Sequence, residues 1–248
     1  MTSTHFLIKQ KSLHFPSAIL EGEEHYHLSK VLRIKPGKRI WLIDDQGGCY
    51  LAEVREVGKE WTRLLILEKT EKEETKVHLT LAQALIKSKK MDFLIQKATE
   101  LGINSFVAVI AARSVVKIQE KEAKKVERWQ KIAAEAAKQS RRSFVPEIYS
   151  PQPFRSFIEK RRELRKLLLC ETRGRYLRDV FAEGPRSPAE GGIPSVLIMV
   201  GPEGGWTKEE ENIALQRGFE AVSLGKQVLR SETAALAALA IISHFWNT

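Results

Sequence analysis

Two short segments near the end of the 248-residue chain carry the residue types from which a site can be built. The first is Met199-Val200-Gly201-Pro202-Glu203-Gly204-Gly205-Trp206-Thr207, a glycine-rich turn between an apolar run and a helix start. Glycines in such a turn let backbone N–H groups approach a ligand with no Cβ in the way. The carboxyl ends of parallel strands are also where open α/β sheets bind ligands. Taken alone, the turn reads equally as a tight connection with no ligand. The second segment is Leu224-Gly225-Lys226-Gln227-Val228-Leu229-Arg230-Ser231-Glu232-Thr233-Ala234. Its mix of apolar and polar residues can line an adenosine-sized pocket with backbone donors and acceptors. Ser231 or Thr233 is expected to cap the helix that follows. Arg230 and Glu232 then remain without a structural duty, unless Glu232 pairs with Arg230.

The familiar glycine-loop and metal chemistries are excluded by pattern. No GxxxxGK[ST] occurs, so there is no P-loop lysine, and no GxG occurs, so there is no dinucleotide fingerprint. The glycine loop of Rossmann-type methyltransferases is absent for the same reason. Two cysteines, Cys49 and Cys170, stand far apart and make neither a disulfide framework nor a CxxC site. The six histidines include no HExxH and no Cys/His pairing at zinc spacing, so no metal is expected. The longest apolar run, Ala234 to Ile242, is too short for a membrane span. Residues 1–9 lack the apolar core of a signal peptide. The expectation is a reduced, cytoplasmic protein with no membrane partner.

Charge points to the partner. Forty-one Lys+Arg against thirty-one Asp+Glu give +10, which favours a polyanion, most often nucleic acid. The basic residues recur at Lys30/Arg33/Lys35/Lys38/Arg39, Lys87/Lys89/Lys90, Arg141-Arg142 and Arg161-Arg162/Arg165-Lys166. Clusters spread along the chain fit a long phosphate-backbone footprint better than one membrane-facing helix.

Periodicity supplies the elements that must position these residues. Tyr50, Ala52 and Val54 alternate with Leu51, Glu53 and Arg55, and Arg39–Ile43 runs into the turn-rich Asp44–Gly48, so a hairpin is expected. Trp61–Leu67 is another strand, and several short strands with turns suggest a small barrel. The charged run Glu68–Lys76 reads as a linker. From Val77 strands and helices alternate, which argues for a mostly parallel sheet in an α/β fold. Strands are expected at Val77–Ala82, Phe106–Ile110, Leu167–Cys170, Val196–Val200 and Val222–Leu224. Helices are expected at Asp92–Leu101, closed by Gly102, at Lys124–Gln139, from the capping box Thr207-x-x-Glu210 to Arg217, and at Thr233–Trp246. Glu183–Pro194 reads as a surface loop.

With these residues in view the chain resembles the RsmE-type ribosomal RNA methyltransferases of the SPOUT superfamily. The resemblance is carried by Gly201-Pro202-Glu203-Gly204-Gly205 and by Leu224-Gly225-x-x-Val228-Leu229-Arg230-Ser231-Glu232-Thr233-Ala234. It extends to Met91-Asp92-x-x-x-Gln96-Lys97-Ala98-Thr99-Glu100-Leu101-Gly102, Arg113-Ser114-Val115-Val116, Glu127-Arg128-Trp129-x-x-Ile132 and Glu135-Ala136-Ala137-x-Gln139-Ser140. His27-Leu28-x-x-Val31-Leu32-Arg33 with Pro36-Gly37 is similar to the family's first domain. The matches follow the family's order over nearly the whole chain, which makes the set specific where no single motif is.

The resemblance implies an N-terminal PUA-like β-barrel over 1–72 and a C-terminal SPOUT α/β domain with a trefoil knot over 73–248. It implies S-adenosyl-L-methionine as cofactor and N3 of a uridine in 16S small-subunit ribosomal RNA as methyl acceptor, free or in the assembling 30S subunit. A homodimer is implied, and the all-round apolar last helix independently asks for burial on more than one side. The cofactor residues carried over are Met199, Gly201, Pro202, Glu203, Gly204, Leu224, Gly225, Val228, Leu229 and Thr233. Charge and resemblance together assign RNA contact to Lys30, Arg33, Lys35, Lys87, Arg113 and Arg141. The family reads Ser-Gly-Arg where this chain has Ser140-Arg141-Arg142, and register makes Arg142 the matching arginine. The family's arginine near the N-terminus is replaced by Thr4-His5-Phe6.

A uridine N3 must lose its proton as the methyl arrives, and charge builds on O2 and O4. A pre-oriented guanidinium stabilises such charge; Arg230 is the first candidate, and Arg142 of a second copy the next. Glu232 or Glu203 could take the proton or serve structurally. The alternatives are a SPOUT methyltransferase for transfer RNA or a ribose 2′-hydroxyl, and a non-catalytic RNA-binding protein.

Overall fold

The computed structural model describes residues 4–45, 47–70, 76–114, 122–163, 165–171, 173–182 and 193–247. The chain divides into two compact units, residues 1–74 with 134–145, and residues 75–133 with 146–248.

In the first unit six strands form one sheet in the order β1-β4-β5-β6-β3-β2. They are β1 (His5–Ile8), β2 (Leu13–His14), β3 (Ser17–Glu21), β4 (Arg39–Asp44), β5 (Cys49–Val57) and β6 (Trp61–Thr70). Tyr50, Ala52 and Val54 of β5 are buried as their spacing requires, alongside Leu42, Leu64 and Phe6. The β4–β5 hairpin closes on Asp44, whose carboxylate accepts from the Gly48 N–H at 2.6 Å and the Tyr50 hydroxyl at 2.8 Å. Burial, reinforced by that bond, pushes the Tyr50 phenol up to about 12. Glu68, Lys69 and Thr70 depart from the expected linker. They extend β6 and pair with Leu51, Tyr50 and Cys49. A ladder is made by backbone groups, so a charged run can continue it without core-forming side chains. Residues 71–75 of that run lie outside the described residues. Between β3 and β4, α1 (Gly22–Tyr26) passes into a π-helical turn, His27–Val31.

The second unit holds a seven-stranded sheet in the order β11-β13-β10-β12-β7-β8-β9, in which every pairing is parallel. Its strands are β7 (His78–Ala84), β8 (Ser105–Ile110), β9 (Glu147–Pro153), β10 (Arg165–Leu169), β11 (Arg175–Tyr176), β12 (Ser195–Val200) and β13 (Glu220–Ser223). The helices are α2 (Ser88–Glu100), α3 (Glu122–Gln139), α4 (Phe154–Glu159), α5 (Leu177–Ala182), α6 (Lys208–Gln216) and α7 (Ser231–Asn247). The central strands β7 and β12 are buried along almost their whole length; the continuous apolar run of β12 requires this, whereas β7 also buries Thr80 and Gln83. Strand β9 contains Pro151 and Pro153, which hides it from sequence reading; it occupies the sheet edge, where missing N–H groups are tolerated. Most of the expected loop Glu183–Pro194, residues 183–192, lies outside the described residues. Among the described residues no helix is long and apolar enough to cross a membrane.

Helix α3 belongs to both units. Its Trp129 packs on Phe106 of β8, whereas Lys138, 8% exposed, reaches Glu24 of α1 at 2.8 Å and also pairs with Glu135. Burial penalises the Lys138 ammonium, but the bonds to Glu135 and Glu24 outweigh it and raise its pKa.

Helices α2 and α3 end in the same way. After α2, the N–H groups of Gly102 and Ile103 return to Thr99 and Ala98, with Gly102 at φ 99°. After α3, those of Arg141 and Arg142 return to Lys138 and Ala137, with Arg141 at φ 59°. This closure wants glycine at the left-handed position, and Arg141 supplies a Cβ instead. Arg141→Gly should therefore stabilise the protein by about 1 kcal/mol, read as a rise in the midpoint of urea or thermal unfolding; an unchanged or lower midpoint contradicts the strain.

Candidate functional site

Because β10, β12 and β13 are parallel neighbours, the loops leaving their carboxyl ends meet on one edge of the sheet. These loops are 170–174, Gly201–Thr207 and Leu224–Arg230, and they enclose a cavity of about 390 Å³.

The loop after β12 is held from both sides. The indole N–H of Trp206 donates to Leu169 O at 3.1 Å, and its ring lies 5.5 Å from that of Phe154. A Cβ on Gly201 would stand 3.3 Å from that indole. Thr207 and Glu210 form the expected capping box: Thr207 Oγ1 accepts from the Glu210 N–H at 3.1 Å and Glu210 Oε2 from the Thr207 N–H at 2.9 Å. The other oxygen of Glu210 accepts the Ala112 N–H at 2.8 Å, tying the loop to the segment after β8. Arg113, expected at RNA, donates to Gly204 O at 2.8 Å and Trp206 O at 3.3 Å and lines the cavity. Its guanidinium is turned toward carbonyls of the one turn that leads into α6.

The mouth of α7 differs from expectation. Ser231 does not act as a side-chain cap; it is the first residue of the helix, and Arg230 O accepts the Ala234 N–H at 2.8 Å. The Ser231 hydroxyl is turned inward, donating to Gly201 O at 2.5 Å and accepting from Gln83 Nε2 at 2.8 Å. Gln83, at the end of β7, is fully buried. Thr233 is exposed and does not line the cavity. Glu232 does not pair with Arg230. Lys90 of α2 instead reaches Glu232 at 3.2 Å and Glu203 at 3.3 Å, since α2 lies across the entrance of α7. The bond to Glu232, joined by that to Glu203, raises the Lys90 pKa against the opposing effect of burial.

The cavity's remaining charges are Arg173, Glu211, Glu171 and Arg230. Arg173 pairs with Glu211 at 2.8 Å. Among the described residues, the side chains of Glu171 and Arg230 have neither an ion pair nor a hydrogen-bond partner. Cys170 also lines the wall, and burial pushes its thiol up to about 11, leaving it protonated and inert. Leu169, Val200, Leu224, Val228 and Leu229 supply apolar surface.

Of the expected cofactor residues, Gly201, Pro202, Glu203, Gly204, Leu224, Val228 and Leu229 meet at this cavity. Met199 does not: its side chain is buried in the core with Ala82 and Leu168, because β12 points it away from the loop. Gly225 and Leu224 border a second hollow of about 270 Å³ with Ser223 and Ile241. Lys87 is exposed at the start of α2. Lys30, Arg33, Lys35, Arg141 and Arg142 all belong to the first unit. The first four are exposed; Arg142 stacks on Phe144 at 4.2 Å, and burial lowers its pKa to about 10. Val115 and Val116 lie outside the described residues. Sequence reading missed the loop after β10 and Gln83. Both carried a signal: the Leu167–Cys170 run ends where a parallel strand presents ligands, and Gln83 is a lone amide inside Leu79–Ile86. Among the described residues no group of three or more His, Cys, Asp or Glu could hold a metal ion.

Residues 73–243 match the family described as RNA methyltransferase domain, and residues 20–60 match RNA methyltransferase PUA domain. A Bacillus subtilis protein named ribosomal RNA small subunit methyltransferase E is 35% identical over 240 residues, 96% of this chain and 94% of that one. The crystal structure of a protein of the same name from Neisseria gonorrhoeae, bound to S-adenosyl methionine, is 33% identical with a TM-score of 0.85 and 98% of each chain covered. A putative methyltransferase from Legionella pneumophila, also with that cofactor, is 31% identical with a TM-score of 0.85 and 98% of each chain covered. The chain belongs to the RNA methyltransferase family.

Glu210, 6% exposed, is the strut between the loop after β12 and the segment after β8. Glu210→Ala strands the Ala112 and Thr207 N–H groups and should cost about 2–3 kcal/mol. Urea unfolding reads this directly, and a loss under about 0.5 kcal/mol, the range of neutral surface changes, would sink the assignment.

Proposed function

We propose that this member of the family transfers a methyl group from S-adenosylmethionine to N3 of a uridine in small-subunit ribosomal RNA. The observation that carries the reading is the cavity at three adjacent strand ends, with an unpaired arginine, Arg230, at its rim. The names of the relatives favour small-subunit RNA over transfer RNA, a ribose hydroxyl or RNA binding without catalysis.

The residues present suit the cofactor. A Cβ on Gly201 would crowd the Trp206 indole at 3.3 Å, so glycine there lets the turn pack closely against that ring. Leu169, Val200, Leu224, Val228 and Leu229 offer apolar walls for a base, and Glu171 offers a charge for the ammonium of an amino-acid moiety. When bound, S-adenosylmethionine supplies an electrophilic methyl group. The chain's own contribution is position and charge. Arg230, held at the mouth of α7, faces the negative charge that develops on the uracil carbonyls as N3 loses its proton. Lys90 bridges Glu203 and Glu232, so both carboxylates are assigned to loop structure and the proton to solvent. Holding the two reactants together supplies much of the rate.

The barrel reading of residues 1–72 assigns RNA affinity to Lys30, Arg33 and Lys35, and the cofactor to residues 73–248. Arg33 supports this, because its φ of 51° and exposure hold its side chain out after the π-helical turn. The trefoil knot implied by the family is consistent with β12 lying between β10 and β7. Gly174 supports the same reading, since a Cβ there would stand 2.3 Å from Ala221 O, a very close chain passage. The homodimer is supported by α7: Ala235, Ala238, Leu239 and Ile242 are fully buried, whereas Leu236, Ala237 and Ile241 are only half-covered. In that dimer Arg142 serves the second copy's site.

Incubation with methyl-labelled cofactor and small-subunit ribosomal RNA should yield 3-methyluridine on nucleoside mapping; another modified nucleoside would redirect the reading. In the same assay Arg230→Ala should lower the single-turnover rate at saturating RNA about 100-fold with little change in RNA affinity. Arg33→Ala should leave that rate near wild type, weaken RNA binding, and reduce the salt slope by about one unit. Equal effects of the two variants would break the assignment.

The pH profile tests the proton's route. With no free carboxylate as base, the single-turnover rate should rise about tenfold per pH unit through neutrality, following uridine ionisation. A rate independent of pH through neutrality would restore Glu203 or Glu232 as the base.

A further inference from the structure

We propose that Gln83 is a positioning residue for the transfer: from the end of β7 it locks the mouth of α7 to the Gly201 turn and thereby sets where Arg230 stands. The inference rests on the reading of the cavity as the cofactor site and of Arg230 as the charge that meets the uracil.

Gln83 is wholly buried between Ala82 and Ala84, themselves wholly buried. Its Nε2 lies 2.8 Å from Ser231 Oγ, 3.0 Å from Ala84 O, 3.3 Å from Gly201 O and 3.4 Å from Val200 O. Three separate chain segments therefore converge on one –NH2 group. Ser231 passes the bond on, its hydroxyl donating to Gly201 O at 2.5 Å. The relay runs one way, from amide to hydroxyl to carbonyl. Flipping the amide would set Oε1 against oxygen lone pairs, so only one orientation is permitted.

The other end of the amide is the telling one. Among the described residues, Gln83 Oε1 is buried with no hydrogen-bond partner. A buried acceptor left unmade is destabilising, and an apolar side chain of similar volume would avoid that penalty. Stability alone does not account for a glutamine here. What the amide provides is placement. Arg230 immediately precedes Ser231, its carbonyl closes the first turn of α7, and its exposed side chain has no partner among the described residues to orient it. The Ser231 anchor fixes the backbone from which that guanidinium projects. Lys90 spans the same two segments, but its ion pairs are partly exposed and weakened by solvent. The buried link is the one that pins the geometry.

The test is a double-mutant cycle of Gln83→Leu with Arg230→Ala, reading single-turnover rate, cofactor Kd by calorimetry and melting temperature. Gln83→Leu should lower the rate about 30-fold while Kd changes by less than about threefold. In the Arg230→Ala background the same substitution should lower the rate by less than about threefold, because its effect acts through Arg230. Equal losses in both backgrounds, no loss, or a loss confined to Kd overturns the proposal. Should Gln83→Leu fail to fold, Ser231→Ala severs the same relay with Gln83 in place, and the same cycle decides. An inactive wild-type protein on small-subunit RNA refutes the functional reading and this role with it. An active wild type with additive variants refutes the Gln83 role alone.

Discussion

A single buried carboxamide at the end of β7 joins the three segments on which the candidate site depends. Gln83 meets the carbonyls that end β12 and the hydroxyl that opens α7, and the cavity lies beside that junction. Without such a bond, the Gly201 turn and the last helix would be related only by their separate packing on the sheet. An amide serves here because its donors have a fixed direction and its neutrality avoids the cost of a buried charge. The same low-dielectric burial that makes its unsatisfied oxygen costly makes its satisfied donors effective.

The parallel sheet imposes the next constraint. Parallel strands place their carboxyl ends on one edge, so whatever loops follow β10, β12 and β13 must share a neighbourhood. The chain then settles the charges that neighbourhood gathers. Arg173 meets Glu211, Lys90 meets two carboxylates, and Arg113 is turned onto backbone carbonyls. Among the described residues, the charged side chains of the cavity left without a hydrogen bond or ion pair, Glu171 and Arg230, are what a ligand can meet. A site built this way is selective through its residue of unpaired groups rather than its total charge.

The first unit solves a different problem. Its sheet is small, and it gains the end of α3 through the Lys138–Glu24 pair, which carries Arg141 and Arg142 with it. Two arginines of this unit, Arg33 and Arg141, adopt left-handed backbone where glycine is favoured. Backbone strain of this kind persists where the surroundings over-determine it, and here the hydrogen-bonded ends of two helical segments do so.

Much of this was legible in the sequence, for a local reason. Alternation in Tyr50–Val54, the apolar run of β12, the Thr207–Glu210 box and Gly102 after α2 depend on residues within a turn or two of one another, and each formed where its pattern lay. The glycines that line the cavity were legible too, because a strand's carboxyl end can be read from the strand. The partnerships were not. Lys90 with Glu232, Arg113 with Gly204 and Gln83 with Ser231 are separated by 142, 91 and 148 positions. Sequence composition determined that this chain would fold as α/β with basic clusters and a glycine turn at a strand end. Only the tertiary structure decided that Ser231 would turn inward to Gly201, that Met199 would face the core, and that Glu232 would answer to Lys90. Sheet order sets which strand ends become neighbours, and no local periodicity encodes that order.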